Sequence, residues 1–186
     1  MRVTKTELYD RYYSVYPDKA KLYRGDTEMP NHCHNRVTFY SANTEAVAKL
    51  KQIFEDEECF TQIIPEPDWQ NTPLMSSDMP KYDWDKPKGK VGELPQYVED
   101  PWRRLVFKST GQADDRWYDW RVYNWGTKWD CYDVEVTDDD PENTEIEFNT
   151  AWSPPEAICH KIREDYPDVS VSWFYDEPGC EIAGYL

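Results

Sequence analysis

Eight carboxylates crowd one short segment of the chain and are the residues best suited to chemistry. Alternating apolar and polar residues over 131–137 and 145–150 predict two strands, and the acidic turn between them joins the strands into a hairpin. Asp133, Glu135, Glu145 and Glu147 are predicted to point away from the apolar face, which holds Tyr132, Val134, Val136, Ile146 and Phe148. The turn contributes the remaining four acids, Asp138, Asp139, Asp140 and Glu142.

Such a concentration of like charge indicates a surface that meets a basic partner. Like charges on neighbouring strands are destabilising, so the sequence tolerates a local electrostatic cost here. Duplex DNA carries one negative charge per ~1.7 Å of axis, and rows of carboxylates on strands can imitate that density. The eight acids are therefore the predicted partner-binding site. A solvated acidic face that only keeps the protein soluble explains the pattern equally well.

A second candidate group is the run His32, Cys33 and His34, with Cys131 or His160 as further metal ligands. Side chains alternate along an extended chain, so the two histidines can share an ion while the cysteine turns inward. Structural zinc requires four ligands, and no second ligand pair stands at a recognisable spacing. The sequence therefore predicts no metal and no other cofactor.

Catalytic motifs are missing, because the chain contains neither G-x-S-x-G nor G-x-x-x-x-G-K. Glycoside hydrolysis needs two carboxyl groups ~5–9.5 Å apart. With 37 acidic residues such a pair arises by chance. We predict a protein that is not an enzyme, and keep a carboxylate-based hydrolase as an alternative.

Composition narrows the class of protein further. The formal net charge of −16 repels nucleic acid and anionic membranes and attracts basic surfaces. Five widely spaced cysteines, an odd number, argue against a disulfide framework and for a reducing compartment. No segment approaches the ~20 apolar residues that span a bilayer. These features predict a soluble, cytoplasmic protein.

The elements that must position the acidic hairpin can be placed along the 186 residues. Residues 1–28 are predicted to be an N-terminal extension with a short helix at 4–16, and residues 29–186 a single domain. Within that domain the predicted elements are a strand at 36–40, a helix from Asn43 or Thr44 to about Glu58, a proline-rich insertion at about 60–110, a helix at 112–124, the hairpin, a helix after the Ser153–Glu156 capping box, a strand at 169–175 and a short final strand within 180–186.

The aromatic block Trp117–Asp130 holds four tryptophans and two tyrosines. Rings of this size are most often buried, so we predict that the block braces the inserted helix against the sheet, with Gly126 as a left-handed corner. Lys128 and Asp130 are the members expected at the surface.

The order of elements predicts an α+β fold. Without the insertion and its extra helix the order is βαββαβ, a ferredoxin-like two-layer sandwich. Strands that are apolar on one face only fit an antiparallel sheet with helices on one side. Right-handed crossovers then favour the sheet order 4-1-3-2.

Several blocks of the chain resemble the YubB-like ferredoxin-fold family, also called Api-type phage proteins. They are Met29–Thr38, Asn124–Asp130, Phe148–Pro155 and Trp173–Gly184, and they occur in order. His32 departs from the pattern, since the family usually has tryptophan there. The resemblance implies a ferredoxin-like fold and a phage or plasmid setting, and brings no catalytic residues with it.

Together the residues and the resemblance predict an acidic mobile-element protein that binds a basic host protein. Inhibition of a nucleic-acid-binding defence component by DNA mimicry is the favoured form of this hypothesis. The alternative is an interaction domain with no inhibitory role.

Overall fold

A computed structural model of the protein describes residues 31–82, 85–101 and 103–186. The described elements are β1 (His32–Tyr40), α1 (Thr44–Glu55), α2 (Cys59–Ile63), β2 (Tyr97–Glu99), β3 (Leu105–Phe107), α3 (Arg116–Asn124), β4 (Tyr132–Asp140), β5 (Asn143–Ala151), α4 (Glu156–Asp165), β6 (Ser170–Glu177) and β7 (Ile182–Tyr185). The helix predicted at 4–16 lies outside these residues, so the proposed N-terminal extension stays a prediction. No helix in the described ranges is long and apolar enough to cross a membrane.

Five of the strands form one antiparallel sheet in the order β4-β5-β1-β6-β7. Counting only the strands of the βαββαβ core, this is the predicted order 4-1-3-2, extended at one edge by β7. The central strand β1 pairs with β5 on one side and with β6 on the other. A small separate sheet joins β2 to β3.

The core lies between the sheet and the helices α1, α2 and α4. Predicted inward residues of the strands, among them Val37, Phe39, Ile146, Phe148 and Trp173, are buried. Helix residues at the predicted spacing, Val47, Leu50, Phe54, Ile158 and Ile162, join the same buried cluster. The alternation along the sequence therefore identified the correct face of β1, β5 and β6.

Phe54 lies at the centre of this cluster, in contact with three strands. Its ring centroid is 5.7 Å from that of Phe39, 5.3 Å from Phe148 and 6.1 Å from Trp173. Trp173 also donates its indole N–H to buried Asn35 on β1, at 3.1 Å. One aromatic side chain of α1 thus holds the helix against the middle of the sheet.

The first helix ends three residues earlier than predicted. It finishes at Glu55, and Asp56 is already extended. The Asp56 carboxylate accepts hydrogen bonds from Gln52 and Gln62, so it closes the turn between α1 and α2. Asp56, Glu57 and Glu58 lie beyond the helix, where the helix dipole opposes them less.

The capping box predicted for α4 does not form. Pro155 is the N-cap residue and no side chain caps the helix. Ser153 instead donates its hydroxyl to the carbonyl of Gly126. Gly126 has the predicted left-handed conformation (φ 86°), and a Cβ there would lie 3.1 Å from the Pro154 carbonyl oxygen. Close packing of this corner against the start of α4 takes the place of the cap.

Arg116 binds the segment between α2 and α3 through an ion pair and backbone hydrogen bonds. Its side chain is buried, pairs with Asp114 at 2.8 Å and donates to the backbone carbonyls of Trp69 and Thr72. Tyr97 of β2 donates to the same carboxylate. Burial alone would raise the pKa of Asp114, but the hydrogen bonds from Arg116 and Tyr97 lower it below its usual value. Helix α3 is shorter than the predicted 112–124 because Asp114 faces this cluster.

Truncation of Phe54 tests the centre of the core. We expect Phe54→Ala to lower the free energy of unfolding by about 3–5 kcal/mol, because the cavity has three aromatic neighbours. Half-buried Phe174, on the opposite face of the sheet, is the control, and Phe174→Ala should cost clearly less. Urea unfolding followed by circular dichroism measures both, and equal losses would contradict this description of the core.

Removal of Arg116 should cost about 3–5 kcal/mol, because it leaves the Asp114 carboxylate without its cation. Exposed Lys108→Ala is the control and should be nearly neutral. Since the folded pKa of Asp114 is lowered, its contribution is present at neutral pH and is lost as the pH falls through that pKa. Urea unfolding at neutral and acidic pH should therefore show a smaller difference between the native chain and Arg116→Ala in acid.

Candidate functional site

The face of the sheet that carries no helices holds most of the predicted acidic site. In register, Glu135 of β4 lies opposite Glu147 of β5, and Asp138 lies opposite Glu145. Both are like-charge pairs across neighbouring strands, the arrangement that costs stability. The structure thus brings together Glu135, Glu145 and Glu147, which the alternation predicted to share this face. It adds Asp138, which was predicted to lie in the turn.

Strand β4 is longer and less regular than predicted. Asp138, Asp139 and Asp140 belong to the strand, and only Pro141 and Glu142 separate it from β5. The register shifts twice, once between Tyr132 and Glu135 and once between Val136 and Asp138. Each shift inserts one extra residue, which is a β-bulge.

The two bulges change two predicted side-chain assignments. Asp133 has φ 53°, and this bulge turns Tyr132 to the open face opposite Asn149, although it was predicted to be inward. The second bulge places Asp139 opposite buried Thr144, on the helix side, where it pairs with Lys51 of α1 at 2.6 Å. A local sequence pattern of period two cannot anticipate these inserted residues, because each one shifts the alternation by one position.

Two basic side chains of β1 lie beside the two acids of β5, and Arg36 partly neutralises Glu145. Arg36 Nε lies 3.9 Å from Glu145, and His34 Nε2 lies 3.7 Å from Glu147. Thr38 and Thr137 also donate hydroxyls to Glu145. Such pairs between exposed side chains are worth ~0–1 kcal/mol. Sequence reasoning missed them because β1 and β5 are more than a hundred residues apart.

We call the remaining open-face and turn carboxylates the acidic edge: Asp133, Glu135, Asp138, Asp140 and Glu142. All five are exposed, and none forms an ion pair within the described residues. Four of them lie in β4, which is an edge strand of the sheet, and Glu142 lies in the turn after it. Among the described residues, these five of the eight predicted binding residues have no ion-pair partner. Asp139 pairs with Lys51, Glu145 pairs with Arg36, and Glu147 lies 3.7 Å from His34.

On the other half of the open face, the ring of Phe174 is covered by side chains of its own sheet, although RNA-binding sheets use such rings to stack bases. Arg36 covers the ring of Phe174, with 5.5 Å between the guanidinium carbon and the ring centroid. Tyr185 contacts the same ring edge-on at 5.3 Å. This ring is therefore occupied by neighbours from its own sheet.

The metal site considered for His32, Cys33 and His34 does not assemble. His32 Nδ1 is 2.6 Å from the Tyr132 hydroxyl, and His34 faces Glu147. Cys33 is buried, and burial raises the pKa of its thiol to about 11. Among the described residues a different group, Cys59, Asp130 and Cys131, has its ligand atoms within 4.8 Å of one another.

The aromatic block is only partly core. Trp125 is fully buried and donates its indole N–H to the Ile64 carbonyl at 3.0 Å. Trp117, Trp120 and Trp129 are half-buried, and so is Asp130, which was predicted to be exposed. Burial raises the pKa of the Asp130 carboxyl, although backbone hydrogen bonds from Phe60 and Cys131 oppose the rise.

Lys128, also predicted to be exposed, lies in a cage of three aromatic rings. Its ammonium is 4.8 Å from the ring centroid of Trp129, 5.0 Å from Trp152 and 5.4 Å from Tyr118. Trp152 adopts a left-handed backbone conformation with φ 68°. Cation–π contacts at partly exposed sites are worth ~0.5–1 kcal/mol each. The cage therefore holds Trp152, despite its strained backbone, against Tyr118 of α3.

Neutralisation of one acid measures the electrostatic cost of the acidic edge. Glu135→Gln should raise the free energy of unfolding by about 0.2–1 kcal/mol at low ionic strength, because it removes the repulsion from Glu147. The gain should disappear in 1 M salt, where the Debye length is about 3 Å. Urea unfolding provides the measurement, with exposed Glu181→Gln as the control. A loss of stability in low salt would contradict the assigned register.

Comparison with known proteins supports the fold. Residues 125–186 match the family model described as the ferredoxin-like domain in Api92-like protein. The crystal structure of a protein api92 from Yersinia pseudotuberculosis superimposes with a TM-score of 0.50 at 12% identity, covering 84% of this chain and 93% of that chain. No curated protein matches the sequence. Residues 125–186 of the chain are thus similar to the ferredoxin-like domain of Api92-like protein, and the likeness to the solved structure extends the shared fold over most of the chain.

Proposed function

We propose that this protein is a binding module whose acidic edge docks on a basic, nucleic-acid-binding surface of a partner protein. The observation that carries the proposal is a set of five exposed carboxylates along an edge strand and its turn, none of which pairs with a cation of the described residues. The setting we propose is that of a phage or plasmid accessory protein acting on a component of the host cell, with inhibition by nucleic-acid mimicry as its consequence.

Charge spacing supports mimicry of one nucleic-acid strand. Alternate residues of a strand are ~6.7 Å apart. The four acidic-edge residues of β4 alone place one charge per ~6 Å over ~25 Å. Glu145 and Glu147 beside them, although partly neutralised, bring the number of carboxylates to six, or one per ~4 Å. Duplex DNA has one charge per ~1.7 Å, and each of its strands one per ~3.4 Å. The spacing is therefore close to that of a single phosphate strand.

Protection of the sheet edge is the competing explanation. Charged side chains and β-bulges are the devices that keep an exposed edge strand from pairing with another chain, and β4 has both. Under this alternative the protein is an interaction domain with no inhibitory role, and reversal of the charges leaves binding of any basic protein unchanged.

A matched pair of triple variants separates the two explanations. The first, Glu135→Lys, Asp138→Lys and Glu142→Lys, reverses the acidic edge. The second makes the same three charge changes at exposed residues away from the hairpin: Glu57 between α1 and α2, Glu164 in α4 and Glu181 between β6 and β7. Both variants alter the net charge equally, so any difference between them reports position.

The assay is capture by the immobilised chain from the heparin-binding fraction of a host lysate. We expect the native chain and the second variant to capture a protein that competing DNA or high salt releases. The first variant should capture at least about tenfold less of that protein, since each 1.4 kcal/mol of lost binding free energy is tenfold in affinity. Equal capture by both variants, or capture that DNA does not displace, would overturn the proposal.

A further inference from the structure

We propose that Cys59, Asp130 and Cys131 form a binding site for a thiophilic divalent metal ion, of which Zn²⁺ is the best match. One ligand atom from each residue lies within 4.8 Å of the other two. The cluster joins the start of α2 to the residues just before β4, two segments seventy residues apart in sequence. It is separate from the acidic edge and rests on different residues.

The carboxylate of this cluster is already oriented. Asp130 accepts hydrogen bonds from the backbone N–H of Phe60, at 3.0 and 3.1 Å to its two oxygens, and from that of Cys131 at 2.8 Å. Metal-binding carboxylates are held by such outer contacts, which keep the remaining lone pairs directed at the ion. An ion here would meet a preformed ligand and not a mobile surface acid.

The two thiols are connected to each other and to the carboxylate. The two sulfurs and a carboxylate oxygen lie within 4.8 Å of one another. A metal ion bound between them would displace the thiol protons: two metal–sulfur bonds form, both thiols become thiolates, and two protons pass to solvent.

The ligand set selects the class of metal. Two thiolates favour zinc and similar thiophilic ions over Mg²⁺ or Ca²⁺, which prefer all-oxygen sites. Zn–S bonds of ~2.3 Å in a tetrahedron place the sulfurs ~3.8 Å apart, a distance within the 4.8 Å that bounds the present cluster. Water would complete the tetrahedron, and half-buried Cys131 and Asp130 give access from solvent while Cys59 is buried.

Titration of the reduced chain with Co²⁺, a spectroscopic substitute for zinc, tests the proposal. We expect one equivalent to produce the thiolate-to-cobalt charge-transfer band, and added Zn²⁺ to remove it. Cys131→Ser and Cys59→Ser should abolish the band, and Asp130→Asn should weaken Co²⁺ binding at least about tenfold. Exposed Cys180→Ser is the control and should titrate like the native chain.

Folding and oxidation are checked in the same samples. Circular dichroism without metal verifies that each variant is folded, and Cys131→Ser, at a half-exposed position, decides the matter if Cys59→Ser does not fold. The acidic-edge triple variant should keep the band, which separates this proposal from the proposed function. Absence of a saturable one-to-one signal, or an unchanged signal in Cys131→Ser, would overturn the proposal. A Cys59–Cys131 disulfide whose reduction restores no metal binding would overturn it as well.

Discussion

Pairing of β1 with β5 and β6 is the constraint on which the rest of the structure depends. Because side chains alternate along a strand, this one register decides which residues of the three central strands reach the core and which form the open face. Val37 and Phe39 join the buried cluster that contains Phe54 of α1, whereas Arg36 and His34 lie on the opposite face of the sheet. Both the stability of the domain and the charge pattern of its surface follow from the same pairing.

Charge is distributed unevenly over the open face of the sheet. In the middle of the sheet Arg36 pairs with Glu145, and His34 lies beside Glu147. The open-face carboxylates that have no ion pair among the described residues therefore lie farther out, on β4 and its turn. A strand at the edge of the sheet is where a partner can approach without displacing other elements. It is also where repulsion is best screened by solvent, so the fold can carry the cost of the like-charge pairs there.

The aromatic block connects the chain between α2 and α3 to this sheet. Trp125 fills the core, Gly126 packs against the start of α4, and Asp130 binds the backbone at the start of α2. The rings on either side remain half-buried and are held by cations, as in the cage around Lys128. This block therefore braces the fold through its backbone contacts and one ring, and it also brings Cys131 to Cys59.

The sequence by itself determined the order of the core elements β1, α1, β4, β5, α4 and β6, the faces of β1, β5 and β6, and the apolar stripes of α1 and α4. These follow from local periodicity, since burial of one face imposes a period of two on a strand and of 3.6 on a helix. Only the tertiary structure decided the bulges of β4, the partners of Glu145 and Asp139, and the meeting of Cys59 with Asp130 and Cys131. Each of these depends on where distant segments meet, and an inserted residue or a contact across seventy positions leaves no periodic signal in the chain.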